Sequence, residues 1–170
     1  ILHRGADLVY LFNYFDRSPH FYDGQEYDCM IRQVATLQTV LDKPRRYVVT
    51  YADTQPPGVA HAYLPPHRLT APDPAQFRIY TGPKPARGRI TLRAGLAAQD
   101  GPPPRIEARC NNNRCGQGVA ADSTMNLPHV DRLLEYDVAI NTLNEVYNRV
   151  ELVQIDGASP RIVWVELRMD

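Results

Sequence analysis

The sequence lacks any concentration of one charge: 19 Lys and Arg balance 19 Asp and Glu, and no block of five like charges occurs. That balance disfavours a general nucleic-acid or anionic-membrane surface, so neither nucleic acid nor membrane is implied as a partner. The longest apolar stretch is roughly half of what a bilayer-spanning helix requires. No charged segment, apolar segment and cleavage site follow one another at the start as in a signal peptide, and the absence of an initiator Met suggests that something stood upstream. His3, His20, His61, His67 and His129 are scattered without H-x3-H or HExxH spacing, which argues against a metalloenzyme. There is no P-loop, no GxGxxG stretch and no GxSxG elbow, so nucleotide and serine-hydrolase readings lose their usual support.

Proline is nearly missing from the start, with one residue before Asp42, although the chain carries 15 prolines and 10 glycines in 170 residues. They crowd into "TQPPG", "LPPH", "APDPA", "TGPKPARG" and "GPPP", all between Thr54 and Pro104. The shift marks a boundary near "DKPRR", where Lys43 and Pro44 read as a helix end and its stop signal. The expected division is 1–45 and 46–170. Upstream, "GADLVYLFNYF" (5–15) is a nearly unbroken apolar and aromatic run, the pattern of a strand covered on both faces. After a loop comes "EYDCMIRQVATLQTVLDK", in which Met30, Val34, Leu37 and Leu41 recur at helical spacing, widened by Ile31 and Val40. Strand, loop and helix make one βα unit, and a single unit cannot bury its own strand.

Downstream the period changes to two. Segments 46–52, 76–82, 88–97, 104–110, 133–140, 147–156 and 161–169 read as strands, and this many short strands separated by turn signals predict an antiparallel β-sandwich. In "GRITLRAGLA", Ile90, Leu92, Ala94 and Leu96 alternate with Arg89, Thr91, Arg93 and Gly95, the pattern of a sheet with one wet face. The proline-rich segment 54–74 is long for a structureless loop and is expected to pack in extended form.

"RCNNNRCGQG" (109–118) is the most distinctive local feature. Its asparagines tolerate the left-handed backbone of a tight turn. Antiparallel register across that turn would bring Cys110 and Cys115 toward disulfide range, which would imply an oxidising compartment, secreted or periplasmic. Zinc needs four ligands, and a C-x4-C pair without a companion is weak support. Cys29 lies beside the apolar stripe of the helix and reads as a buried thiol. Asn148, at the start of a strand, reads as a residue that fixes neighbouring backbone. Trp164 is either a core plug or a surface platform.

"GADLVYLFNYFD" is similar to the last barrel strand of glycoside-hydrolase-like proteins with a (β/α)8 catalytic domain, where a gly-ala-asp-gly-(ile/val)-tyr-leu-phe-asn pattern recurs; Leu8 stands where those families carry Gly. The helix followed by "RRYVVTYAD" resembles the junction from the final barrel helix into a C-terminal accessory sandwich of jelly-roll, galactose-binding-like type, and "ITLRAGL", "RIEARCNN", "LLEYDV", "YNRVELV" and "IVWVELRM" resemble that sandwich. Here Val146 and Tyr147 precede Asn148 in place of Gly, and Asn112 to Arg114 occupy the hairpin. The resemblance implies a carbohydrate partner and a barrel domain preceding Ile1. It also implies that Asn13, Tyr14 and Asp16 lie at the rim of a sugar cleft. The catalytic acid and nucleophile would sit on earlier strands, so this chain alone is not expected to hydrolyse a glycoside. Each rim residue has a plainer reading as well: a loop ion pair for Asp16 with Arg17, backbone satisfaction for Asn13, and core packing for Tyr14 with Tyr10, Phe12 and Phe15. No cofactor is implied; sandwiches of this type often carry a structural calcium ion, but no acidic cluster marks a site. A stand-alone carbohydrate-binding module and a protein-interaction sandwich are the alternative functions.

Overall fold

The computed structural model describes residues 32, 36, 39, 43–49, 65–122, 127 and 129–170. The expected strand at 8–15, most of the helix that follows it, and Asn13, Tyr14, Asp16 and Cys29 lie outside these residues, as does most of 54–74. By its contacts the chain divides into Ile1–Pro44 and Arg45–Asp170; the following concerns the second unit.

Among the described residues ten strands run in the order β1 (Arg45–Val48), β2 (His67–Arg68), β3 (Ala75–Gly82), β4 (Ile90–Leu96), β5 (Arg105–Cys110), β6 (Asn113–Arg114), β7 (Val119–Ala121), β8 (Arg132–Val138), β9 (Val146–Asp156) and β10 (Arg161–Met169). One sheet has the order β1-β10-β4-β8-β7, with β2 also on β10, and the other has the order β3-β9-β5-β6. Every pairing is antiparallel. The unit is thus the predicted antiparallel β-sandwich.

Period-two patterning decides which side chains meet between the layers. In the first sheet Leu92 lies in register with Tyr136 and Leu167, and Ala94 with Leu134 and Val165. In the second sheet Phe77 is opposite Val150, and Ala108 opposite Leu152. All ten are buried in one hydrophobic cluster, and each large apolar side chain removed from water contributes about 1.5–3 kcal/mol.

The outer face of the first sheet differs from expectation. Thr91 and Arg93, predicted to face water, are 4% and 6% exposed, and all seven residues of β4 are buried. Alternation reports which way a side chain points, not whether water reaches it. What occupies this face is a row of charges in register, Glu166 on β10, Arg93 on β4 and Glu135 on β8. Arg93 pairs with Glu135 at 2.7 Å. From β1, Arg46 reaches Glu166 with two hydrogen bonds of 2.5 and 2.6 Å. Trp164, half-buried, donates its indole N–H to the same carboxylate at 2.9 Å, so it is neither a core plug nor a bare platform.

Candidate functional site

The turn between β5 and β6 is built by two asparagines. Cys110 is opposite Asn113, so Asn111 and Asn112 form a two-residue hairpin loop, with φ of 49° and 68°. Positive φ at both central positions is what a type I′ turn demands, and Asn accepts it with little strain.

This register also corrects the disulfide expectation. Cys110 faces Asn113, while the Cys115 N–H bonds to the Ala108 carbonyl at 2.9 Å, so the two cysteines are diagonal neighbours instead of partners. Diagonal positions lie about 7–8 Å apart, beyond the usual Cα range of a disulfide. Both are free thiols, Cys110 buried and Cys115 half-buried. Burial pushes Cys110 up to about 11, and burial with the nearby Cys110 pushes Cys115 up to about 12.

A second asparagine-rich segment, "NTLN" (141–144), approaches the same turn. Asn148, fully buried on β9, ties the two together. Its Oδ1 accepts from Asn111 Nδ2 at 2.7 Å and from the Asn144 N–H at 2.8 Å. Its Nδ2 donates to Thr81 Oγ1 at 2.9 Å and to the Asn144 carbonyl at 3.2 Å. Asn111 in turn donates to the Thr142 carbonyl at 2.8 Å and accepts from the Arg149 N–H at 2.9 Å. Asn148 therefore has the backbone-fixing role anticipated for it, and it places two loops as well as one strand start.

Immediately before it, the backbone is strained. The Tyr147 N–H bonds to the Glu145 carbonyl at 2.9 Å across Val146, whose φ is 74°. That is a γ-turn with positive φ, a rare conformation and a costly one for a β-branched residue. It turns Tyr147 onto the outer face of the second sheet.

Between these loops and the outer face of β3 and β9 lies an open groove of about 730 Å³. Gln76, Arg78, Tyr147 and Arg149 line it from the strands, and Asn111–Asn113 and Asn141–Asn144 supply its asparagine side chains. Tyr147 meets Tyr80 edge to face, with ring centroids 5.1 Å apart. It also carries the Arg78 guanidinium 3.8 Å from its centroid. The floor thus presents a cation backed by an aromatic ring. Arg149 is held by Asn112 Oδ1 and lies 3.5 Å from Glu151, which also accepts from Gln76 at 3.1 Å.

No protein-family model and no curated protein matches the chain. Among solved structures it is similar to two of BuGH86 in complex with neoagarooctaose, one wild-type and one variant, each at 15% identity over 74% of this chain with a TM-score of 0.47. The chain spans 18% and 19% of the length of those two proteins.

In the groove, Asn141 and Asn144 are exposed, and among the described residues their side-chain amides have no protein partner. Each offers two N–H donors and a carbonyl acceptor. The sequence signalled half of this site, because "NNN" was legible as a turn. It did not signal that residues 141–144 would meet it, since only the register of β9 joins them. Among the described residues, no group of three or more His, Cys, Asp or Glu side chains is placed to hold a metal, and no helix is long and apolar enough to cross a membrane.

Proposed function

We propose that the sandwich binds a glycan in the asparagine groove of its second sheet, as the accessory domain of a glycoside-hydrolase-like protein. One observation carries this reading: the exposed side-chain amides of Asn141 and Asn144, without a protein partner among the described residues, converge with the partly engaged amides of Asn112 and Asn113 on one groove. Sugar hydroxyls are paired donors and acceptors, and side-chain amides match them on both counts. Among the described residues the groove's only charged lining residues are Arg78 and Arg149, and these supply no pair of carboxylates for acid–base hydrolysis. That composition suits holding a polysaccharide, with bond cleavage left to a catalytic barrel preceding this unit. In that arrangement the sandwich would buttress the barrel and contact the same polymer. The likeness of residues 5–16 to a last barrel strand supports this part of the reading, with Asn13, Tyr14 and Asp16 at the rim of the cleft.

The test is affinity electrophoresis of the full chain through gels cast with neutral and with uronate-containing polysaccharides. Retardation by at least one of them is expected, and it should be lost in an Asn141→Ala, Asn144→Ala double variant whose urea midpoint is unchanged. Unaltered mobility in every gel, or full retardation of the double variant, would overturn the reading.

A further inference from the structure

The chain is neutral as a whole, but the outer face of the second sheet is not. Alternation turns Arg78 on β3, Arg149 on β9, and Arg105 and Arg109 on β5 toward this side, against Glu151 and Glu107. Glu107 is engaged by Arg109 at 3.0 Å and by Arg114 at 2.9 Å. Glu151 lies by Arg149. Arg78 has no carboxylate partner among the described residues, and its register places it directly opposite Arg149. Two like charges opposed on one face of an antiparallel pair destabilise each other. Nothing in the core requires this pair, because both side chains are exposed.

We infer that the Arg78–Arg149 pair is a subsite for the carboxylate of an acidic sugar, so that the glycan held in the groove is one containing uronate residues. This rests on the glycan-binding reading above and adds the class of sugar. An anion between the two guanidiniums would relieve their repulsion. The Arg78 guanidinium, held over the Tyr147 ring, is a planar set of N–H donors, and a carboxylate is the planar acceptor that meets two of them at once. The amides of Asn112, Asn141 and Asn144 in the same groove would take the ring hydroxyls. Charge and hydroxyl recognition thus fall to different residues and can be separated.

The experiment compares oligogalacturonate with its methyl ester, which keeps the rings and hydroxyls and removes the charge, by titration calorimetry on the full chain. The acid is expected to bind at least ten-fold more tightly than the ester, and the preference should shrink as salt rises from low to physiological concentration. An Arg78→Gln, Arg149→Gln double variant should bind acid and ester alike. The salt series on the unaltered chain keeps the test decisive if that variant fails to fold. Equal binding of acid and ester would overturn the uronate inference and leave the glycan reading standing. A neutral-polysaccharide mobility shift with no oligogalacturonate binding would do the same. Binding of neither, with no shift in any gel, would remove both. Tighter binding of a sulfated galactan oligosaccharide than of oligogalacturonate would overturn the choice of carboxylate.

Discussion

Asn111 donates its side-chain amide to Asn148 at 2.7 Å, and this hydrogen bond joins the β5–β6 turn to the buried start of β9. Because Asn148 also serves Thr81 and both backbone groups of Asn144, its removal leaves the buried Thr81 hydroxyl and half-buried polar groups of the two loops without their partner. Asn148→Ala is expected to cost about 2–4 kcal/mol, the range for a buried polar group whose partners are left unsatisfied. Asn148→Asp should be at least as damaging, since a carboxylate cannot donate to Thr81 or to the Asn144 carbonyl. Urea denaturation of the two variants beside the parent chain measures both.

Val146 adopts a φ of 74°, a conformation that suits glycine better than a β-branched residue. Positive φ at a β-branched residue costs about 1–3 kcal/mol, whereas glycine adopts it freely at an entropic cost of about 0.5–1 kcal/mol. Val146→Gly should therefore stabilise the unit by up to about 1 kcal/mol, seen as a higher urea midpoint with an unchanged slope. A lower midpoint would mean that the half-buried Val146 side chain contributes more by packing than its backbone loses by strain.

The strand pattern of this unit was legible because each long strand has one apolar face. β10 was expected at 161–169 and spans Arg161–Met169, and β9 was expected at 147–156 and begins one residue earlier. β1 was expected over 46–52 and is seen over Arg45–Val48, while residues 50–52 lie outside the described ones. The two- and three-residue strands β2, β6 and β7 were missed, since so few residues show no period. The buried charges of the first sheet were missed for another reason. Glu166, Arg93 and Glu135 sit 42 and 31 residues apart or more in sequence order, and only strand register makes them neighbours. The groove escaped for the same cause, with its amides drawn from 111–113 and 141–144.

Gly157, in the turn between β9 and β10, has φ of 84°, and a Cβ there would lie 2.5 Å from the Pro103 carbonyl oxygen and 2.8 Å from Pro104 Cα. Both obstacles are backbone, so neither can swing aside. Gly157→Ala is expected to lose about 2–3 kcal/mol, combining a disfavoured φ with the clash. Thermal unfolding followed by circular dichroism would register the loss.

The two thiols of the hairpin should be quiet in the folded chain. Only the thiolate attacks an alkylating agent, and burial holds Cys110 at about 11 and Cys115 at about 12. With iodoacetamide at pH 8, the peptide carrying both cysteines should stay unmodified in the native protein and become doubly alkylated once urea is added. A disulfide mapped to Cys110 and Cys115 after mild oxidation without denaturant would show that the hairpin shifts enough to bring diagonal positions together.

Glu166 makes stability depend on acidity in a defined direction. Its side chain is fully buried. Burial pushes the carboxyl up, but hydrogen bonds from Arg46 and Trp164, with the charges of Arg46 and Arg93, outweigh it and the net shift is downward. A group whose folded pKa is depressed adds stability above its unfolded pKa, near 4.3 for Glu, and that contribution disappears as pH falls through the lower folded value. Glu166→Gln removes the charge and turns an amide N–H₂ toward donors. The variant should therefore be less stable than the parent by about 2–3 kcal/mol at pH 7, a figure kept below that of a fully buried pair because Arg46 is 31% exposed and can rehydrate. The difference should narrow steadily below about pH 4. Urea midpoints for both chains at pH 7, 5 and 3 test this. A gap that stays constant with pH would mean that Glu166 is already protonated in the folded state and that Arg46 binds a neutral acid.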